Sequence, residues 1–317
     1  MFNISRLRIG NNKIQCPKCS HTRKNKLDKC LSVTLEVDQS YVWYCHHCGD
    51  QGGYSPNFAK QHYYPYSNKK LFAVPEKVNG KPMDTNYQEF FRNRRISYKT
   101  LNDFKITFDK LKFNGKEKET AIFPYIYDNK EVNYKYRSID KEFRQSKDAQ
   151  RTLYNIDSLK LDTVEPLIIV EGELDVLSFY ECGYRKVVSL PDGAPKQAKF
   201  REDDARFEAL KVHAEELAKE QSIIIATDND DAGDALALEL AHRFGKDRCS
   251  RVKWGTISGD VEIKDASDAL VYGAKDTIKY FVDKAIPYPV DGLYKASDYI
   301  NQVMDLYFGK EEKPLTT

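Results

Sequence analysis

The sequence predicts an α/β protein of three units: a small β domain bearing paired cysteines, a mixed α+β basic subdomain, and a Rossmann-like parallel sheet with helices on both faces. Two observations support this fold class. Four of the seven cysteines form two Cys-x-x-Cys pairs near the amino terminus. From residue 166 onward, apolar runs of four or five residues alternate with helical stretches, which is typical of a parallel sheet covered on both faces.

Changes in composition divide the 317 residues into five segments. The paired cysteines lie in residues 1–53, which end at two glycines. A proline-rich linker is expected over residues 54–83 because it shows no sustained periodicity. The basic subdomain is assigned to residues 84–165, the parallel α/β domain to residues 166–286, and a second linker with a short helix to residues 287–317.

Charge is distributed unevenly along the chain. Residues 1–165 carry 30 Lys and Arg against 19 Asp and Glu, whereas residues 166–286 carry 17 against 24. This asymmetry favours a polyanion-binding surface joined to a carboxylate-rich site that needs cations. The chain is 41% hydrophobic, and no apolar run approaches the ~20 residues that cross a bilayer, so a membrane protein is excluded.

The two cysteine pairs predict a structural zinc site. Its four ligands are Cys16, Cys19, Cys45 and Cys48. Four thiolates fill a tetrahedral coordination sphere and leave no open position for catalysis. The segments between them are expected to form the strands of a zinc ribbon. Because so small a domain buries little core, metal binding would supply its folding energy.

The ribbon contains other residues with alternative roles. Cys30, His21, His46 and His47 are spare potential ligands that we expect to be ordinary surface or packing residues. Trp43 could stack on a nucleic-acid base, since eight Lys and Arg residues precede Leu31, or it could form the small core of the ribbon.

Local patterns predict the elements of the other two units. In the basic subdomain we expect helices near residues 87–93 and 98–104, followed by strands over AIFPYIY and EVNYKYRSI. In the α/β domain we expect strands over LIIV, KVVSL, SIIIA and RVKWGT. The predicted helices there are one ending at Gly183, a long charged helix over 202–220, an Ala/Leu helix over 232–244, and two near Ser267 and Asp276.

Acidic residues follow two of the predicted parallel strands directly. Glu171 follows LIIV, and Asp228 follows SIIIAT. Both should project from the carboxyl edge of the sheet, where ligand sites of α/β folds form. Asp230 lies two residues after Asp228, and Asp265 follows the next predicted strand. Clustered carboxylates repel one another, so a divalent cation is expected among them, and oxygen ligands select Mg²⁺ or Mn²⁺.

For any single carboxylate, a helix N-cap or a solvated loop position is the alternative interpretation. Asp231 and Asp234 are assigned to that class, because they fall in the first turn of the next predicted helix. The basic residues within 130–151, seven Lys and Arg against four acids, likewise have a solvated strand face as their alternative.

Several of these motifs resemble a known family. The runs VEGELD, TDNDDAG and KDASD resemble the Toprim domain of bacterial-type primases, topoisomerases, recombination mediators and nucleases. A cysteine ribbon ahead of it, with a basic strand-rich region between, is similar to the primase half of phage primase-helicases and their Twinkle-like relatives. The run KYRSIDKEFRQSK resembles the basic nucleotide-binding stretch of the phage primases.

This resemblance implies a DNA primase that makes short RNA primers on single-stranded DNA by magnesium-dependent nucleotidyl transfer. It implies that Glu171 is the acid/base residue, that Asp228 and Asp230 are catalytic magnesium ligands, and that Asp265 is an accessory metal ligand. The residues implied to hold triphosphate and template are Lys135, Arg137, Lys141 and Arg144. The implied partners are single-stranded DNA, ribonucleoside triphosphates and a replicative helicase domain or subunit.

Two other functions stay open from the sequence: a Toprim-type magnesium-dependent nuclease and a non-catalytic DNA-binding scaffold of a replisome. A helicase is excluded, because none of the four Gly-Lys pairs is followed by Ser or Thr, as a phosphate-binding loop requires. We therefore expect either a primase fragment or a free-standing primase. The amino terminus lacks a secretory signal, so we expect the cytoplasm of a bacterial or phage-infected cell.

The segment SDYINQVMDLYF places apolar residues at helical spacing beyond a proline-marked linker. A lone helix of this length is marginal in water, so it must pack on another surface. Two surfaces are considered: the α/β domain of the same chain, or a neighbouring helicase subunit as the resemblance implies.

Overall fold

The structure is a computed structural model that describes residues 4, 7–37, 40–54, 72–78, 80–201 and 203–289. The predicted helix at residues 297–308 and most of the predicted linker lie outside the described residues. No helix in the described part of the chain is long and apolar enough to cross a membrane.

The ribbon domain, described from residue 7 to residue 54, is a four-stranded antiparallel sheet. Its strands are β1 Gly10–Ile14, β2 Leu31–Leu35, β3 Tyr41–Cys45 and β4 Gln51–Tyr54, in that spatial order. Alternate residues of β2 and β3 point to one face and are buried, as a half-buried strand requires. The core therefore consists of a few aliphatic and aromatic side chains beside the cysteines.

The central subdomain, residues 80–165, begins with two short helices and continues as a second antiparallel sheet. Its helices are α1 Thr85–Asn93 and α2 Tyr98–Asp103, and its strands are β5 Thr107–Phe113, β6 Lys116–Tyr127, β7 Lys130–Ser138 and β8 Phe143–Gln145, in that spatial order. Asp84 and Ser97 cap the two helices by accepting backbone N–H bonds. Lys81 pairs with Phe108, so the end of the predicted linker lies against this sheet.

The C-terminal α/β domain, residues 166–289, contains a five-stranded sheet in the order β10-β9-β11-β12-β15. Its strands are β9 Leu167–Val170, β10 Val187–Ser189, β11 Ile223–Ala226, β12 Cys249–Arg251 and β15 Ile286–Pro287, and a hairpin is formed by β13 Thr256–Ile257 and β14 Val261–Glu262. The first four sheet strands are parallel, and β15 is antiparallel to β12.

Helices cover both faces of this sheet, as the sequence predicted. They are α3 Glu173–Glu181, α4 Glu208–Val212, α5 Ala214–Ala218, α6 Asp231–Phe244, α7 Ala266–Gly273 and α8 Lys275–Asp283. Alternate residues of β9 and β11 enter two separate cores. One core lies under α4, α5 and α6. The other contains α3, α7 and α8 and continues into the aromatic residues of the central subdomain.

Two predicted elements differ from the structure. The charged helix expected over 202–220 is instead a 3-10 turn, Ala205–Phe207, followed by the short helices α4 and α5. The break falls at His213, which is fully buried and bonds to Thr152 through its ring. The strand expected over RVKWGT ends at Arg251, since the side chains of Arg251 and Trp254 turn toward Thr227.

The ribbon domain packs on the amino edge of the C-terminal sheet. The backbone N–H of Gly53 donates to the carbonyl of Gln221, which precedes β11, at 3.0 Å. The Gln221 amide also donates to the hydroxyl of Tyr41. A Cβ atom on Gly52 would lie 2.6 Å from the Gln221 carbonyl oxygen, so this glycine permits the close approach.

Candidate active site and metal centre

The four predicted zinc ligands lie together in the ribbon domain. Their sulfur atoms all lie within 4.8 Å of one another. The Cys16 and Cys48 sulfurs are 3.8 Å apart, and those of Cys19 and Cys45 are 3.7 Å apart. A tetrahedron with Zn–S bonds of ~2.3 Å has edges of about 3.8 Å. The cluster is therefore suited to a structural zinc ion.

Backbone hydrogen bonds form the two turns that bring these thiols together. The N–H of Ser20 donates to the Cys16 carbonyl, and that of Gly49 donates to the Cys45 carbonyl. Burial raises the pKa of the Cys45 thiol, but bonds from the backbone N–H groups of Cys48 and His47 outweigh it and lower the pKa to about 6. This favours the thiolate of Cys45, which is the form that binds metal, whereas burial raises the pKa of the Cys16 thiol to about 11.

Two expectations for the ribbon are changed by the structure. Trp43 is only 9% exposed and packs in the ribbon core, so of its two alternative roles the structure supports the core; Tyr44 on the same strand is 44% exposed. Cys30, expected to be an ordinary residue, places its sulfur against the cysteine cluster. The sequence did not signal this, because Cys30 has no partner at Cys-x-x-Cys spacing.

The predicted carboxylates meet at the carboxyl edge of the C-terminal sheet. Strands β9 and β11 are parallel neighbours in which Val170 pairs with Ala226. Glu171 and Asp228 follow these paired residues and so leave the sheet side by side. The backbone N–H of Asp228 donates to the Glu171 carboxylate. This arrangement is the one that the two apolar runs predicted.

The other two acids approach the same edge from helix amino termini. Asp230 caps α6 by accepting the N–H of Gly233 at 2.8 Å, and Asp265 caps α7 by accepting the N–H of Asp268 at 2.7 Å. In each cap the Oδ1 atom of the carboxylate accepts this hydrogen bond. Asp234 lies in the first turn of α6, as predicted, and pairs with basic side chains.

Electrostatic repulsion shows that these carboxylates form one cluster. Burial, with the charge of Asp230, raises the pKa of Glu171. Burial together with Glu171, Asp265 and Asp230 raises the pKa of Asp228 to about 8. Such an assembly of acids is stabilised by added positive charge.

The donor set fits a divalent cation. One carboxylate oxygen of Glu171 is buried and has no hydrogen-bond partner, and an ion would satisfy it. Within the described ranges, the carboxylates do not form a group of three or more whose ligand atoms all lie within 4.8 Å of one another, as the four cysteines do. The carboxylates are more widely spread, which suits a hydrated Mg²⁺ held by one or two of them.

Sequence reasoning missed two acids of α3, of which Asp175 belongs to this cluster. Asp175 is buried, accepts the N–H of Gly172 at 3.2 Å, and has a pKa raised by burial and by Asp265, Asp228 and Glu171. Its position in the first turn of α3, directly after the strand end that carries Glu171, was the available signal. Glu173 accepts hydrogen bonds from the Tyr125 hydroxyl and from Lys135, the latter at 2.9 Å.

The four predicted basic residues do not share one surface. Lys135 and Arg137 lie on one face of β7, which we call the inner face because it is directed toward the C-terminal domain. There Lys135 donates to Glu173 and to the Pro191 carbonyl beyond β10. Arg144 pairs in register with Tyr136 and therefore lies on the opposite face of this sheet. Lys141 is exposed in the turn between β7 and β8. The inner face alone adjoins the carboxylate edge.

Arg94, which the sequence analysis did not identify, lies with Arg137 beside the acids. The guanidinium carbons of Arg94 and Arg137 lie 3.7 and 4.4 Å from the centroid of the Phe90 ring. Burial and the charge of Arg137 lower the pKa of Arg94, whereas Asp265 and Asp268 act in the opposite direction. Arg137 is 5% exposed. Among the described residues neither arginine forms an ion pair, so both are available to an anionic ligand.

The fold and site define a class of proteins in which a cysteine ribbon precedes a basic sheet and a Toprim domain. The Toprim family model matches residues 165–253. A chain in a bacteriophage T7 assembly of lagging-strand DNA polymerase with primase domains is 22% identical and has a TM-score of 0.50. It covers 62% of this chain and 91% of its own length, and this likeness shows the fold alone.

Two curated relatives come from Arabidopsis thaliana. The Twinkle homolog protein of chloroplasts and mitochondria is 33% identical over 303 residues, and the primase homolog protein is 34% identical over 283 residues. The alignments cover 93% and 87% of this chain. The chain belongs to the family of Twinkle-like primases with a zinc ribbon and a Toprim domain. It spans 42% of the Twinkle homolog's length and 81% of the primase homolog's.

Proposed function

We propose that this protein is a DNA primase that joins ribonucleotides into short RNA primers on single-stranded DNA. One observation carries the proposal: the carboxylate edge of the Toprim domain faces the cationic inner face of the basic sheet. The Lys135 bond to the Pro191 carbonyl, which lies beyond β10, brings the two surfaces together. Nucleotidyl transfer requires both, since a metal must meet a triphosphate.

The metal site proposed here comprises Glu171, Asp228, Asp230 and Asp265, with Mg²⁺ or Mn²⁺ as the cation, bound directly by one or two of these carboxylates and through water by the others. A bound divalent ion supplies positive charge to the attacking and leaving oxygens of the displacement. Asp175 lies behind these ligands and is tied to the backbone of Gly172. It is assigned the role of holding the start of α3 in place beside them.

The side chains are assigned separate tasks in the reaction. Glu171 has a raised pKa and can therefore accept the proton that the attacking 3′-hydroxyl loses. Arg94 and Arg137 bind the triphosphate, because they are cations without carboxylate partners in the described part of the chain. Lys141 and Arg144 lie on exposed surface, where contact with the template backbone is the role that fits them.

The zinc ribbon is proposed to bind the template. Its sheet carries Tyr44 on the exposed side, in edge contact with His46 at a centroid distance of 5.1 Å. An exposed aromatic ring on a basic domain suits stacking on the bases of a single strand.

A replicative helicase domain or subunit is the proposed protein partner. The Twinkle homolog is more than twice as long as the part matched here, and residues 297–308 are the proposed contact. Deleting them should abolish co-elution with the helicase while primer synthesis continues. We place the activity in the cytoplasm, where the seven cysteines, all free within the structure, would stay reduced.

The test is incubation with single-stranded DNA, Mg²⁺ and labelled ribonucleotides. We expect short RNA products from the native protein. Asp228→Asn should lower synthesis by at least ~10²-fold while DNA binding persists, since a negative charge is removed near the template. Asp231→Asn is the matched control because Asp231 is exposed on the first turn of α6, and it should retain activity.

Other products would contradict the proposal. Cleaved DNA without incorporated ribonucleotide would indicate the nuclease alternative. DNA binding with neither product would indicate the scaffold. Undiminished synthesis by Asp228→Asn would show that the metal site has been assigned to the wrong residues.

A further inference from the structure

Five sulfur atoms, rather than four, meet in the ribbon domain. The Cys30 sulfur lies 3.9 Å from that of Cys19 and 3.7 Å from that of Cys45. Cys30 precedes β2 directly, and the register pair Leu31–Cys45 fixes it beside the second cysteine pair. Its carbonyl also accepts the N–H of His46 at 2.9 Å. Its position is therefore set by the sheet.

The geometry of Cys30 matches that of a zinc ligand. The sulfurs of Cys19, Cys30 and Cys45 form a nearly equilateral triangle, with sides of 3.9, 3.7 and 3.7 Å. These sides equal the edge of about 3.8 Å expected for a zinc–sulfur tetrahedron. Cys19 and Cys45 thus lie at zinc-ligand spacing from Cys30 as well as in one cluster with Cys16 and Cys48.

Burial distinguishes the two candidate fourth ligands. Cys30 is 7% exposed, whereas Cys48 is exposed. The Arg23 guanidinium bonds to the Cys30 side chain and to Asp28, the latter at 2.7 Å. A cation at this position offsets the negative charge of a tetrathiolate zinc centre. Cys48 is thus the ligand that solvent reaches, and Cys30 is protected.

We propose that Cys30 is a reserve zinc ligand that replaces Cys48. In the exchange, a Zn–S bond to Cys30 forms and the bond to Cys48 breaks. The Cys30 thiol releases its proton and the departing Cys48 thiolate takes one up, so the charge of the centre is unchanged. The ribbon then keeps its metal when Cys48 is lost or blocked. Zinc ligation does not require the proposed primase activity, so either can fail without the other.

The test compares Cys48→Ser, Cys30→Ser and the double variant, with Cys182→Ser as the control in a cysteine outside the ribbon. Zinc per chain is measured on the purified full chain. The ligand set is determined from the visible absorption of the Co²⁺-substituted proteins, which differs between four-sulfur and three-sulfur coordination. Thermal unfolding of the C-terminal domain checks that each variant is folded.

Each single variant should keep about one zinc per chain and the four-sulfur Co²⁺ spectrum. The double variant should bind zinc at least ~100-fold more weakly, since even changes outside the ligand set cost about 10- to 100-fold. A three-sulfur spectrum or lost zinc in Cys48→Ser overturns the proposal. So does lost zinc in Cys30→Ser, or a double variant that binds zinc as tightly as the native protein.

Discussion

At the scale of single residues, the proposed active site contains buried carboxylates whose simultaneous ionisation is unfavourable. Glu171, Asp175, Asp228 and Asp265 have raised pKa values, and burial is the main cause for each. Arg251 lowers the pKa of Asp228, and Arg94 lowers that of Asp265, but neither cation outweighs the effect of burial. The metal-free cluster therefore carries an electrostatic penalty that a cation relieves.

The first prediction concerns this penalty. The pKa of Asp228 is about 8 in the folded protein and ~3.9 in an unfolded chain. The folded state prefers the protonated form of Asp228. The contribution of this group to the free energy of unfolding is therefore present in full below about pH 4 and is lost as the pH rises through about 8. The melting temperature of the chelator-treated protein should fall over this range, and Mg²⁺ should restore it more at pH 8 than at pH 5.

Asp228→Asn supplies the comparison for this experiment. It should melt at a temperature that depends less on pH and should respond less to Mg²⁺. A native metal-free protein with the same pH profile as the variant would contradict the assignment of Asp228 to the ion site.

The residues that sequence reasoning found and those it missed differ in how they are positioned. Glu171 and Asp228 follow buried strands directly, so local pattern and the rule for parallel sheets were sufficient. Arg94 and Cys30 reach their sites through contacts between segments distant in sequence: Arg94 shares the Phe90 ring with Arg137 of the basic sheet, and Cys30 lies beside β3. No local pattern reports such contacts.

At the scale of elements, strand alternation predicted part of the basic surface. Lys135 and Arg137, two residues apart on β7, do share a face. Arg144 lies beyond a turn, and its pairing with Tyr136 places it on the other face. The period of two holds only within one strand, because the turn sets a new register. The helix expected over 202–220 failed for a related reason, since the tertiary contact of His213 falls at its break.

The second prediction concerns β4, which joins the ribbon to the Toprim domain. A Cβ on Gly52 would lie 2.5 Å from Cη2 of Trp43 and 2.6 Å from the Gln221 carbonyl oxygen. Neither a packed indole nor a backbone carbonyl can yield easily. Gly52→Ala should therefore separate the two domains and increase the amide exchange rate of Gly53, whose N–H donates to Gln221, by at least ~10-fold.

Gly53→Ala is the matched control. Its Cβ would meet mainly the end of the Asp247 side chain, which can rotate away. The exchange rate at residue 53 should then stay near the native value. Equal rates in the two variants and the native protein would show that Gly52 does not determine this contact.

At the scale of the whole molecule, the ribbon and the rest of the chain have separate cores. The ribbon core contains Trp43 and the cysteines, whereas Trp254 lies in the core shared by the basic sheet and the Toprim domain. These are the two tryptophans of the chain. The ribbon has little apolar surface to bury without metal, while the larger unit has two extensive cores.

The third prediction follows from this separation. A zinc chelator should unfold the ribbon and leave the rest of the chain folded, since the folding energy of the ribbon comes largely from metal binding. Tryptophan emission should shift to the red on chelation in the native protein. In Trp43→Phe, which retains only Trp254, the emission should stay unchanged. A red shift in that variant would mean that the two units unfold together.

The parallel pairing of β9 with β11 also affects when a new chain can assemble its proposed active site. The paired residues Val170 and Ala226 are far apart in sequence, and parallel pairing of this kind gives a high contact order and slow folding. The Glu171 carboxylate cannot join the cluster until Asp228 has been synthesised, and Asp265 is synthesised later still. The ribbon, whose strand pairs are local in sequence, can form earlier. A nascent chain should therefore acquire its zinc centre before its carboxylate centre exists.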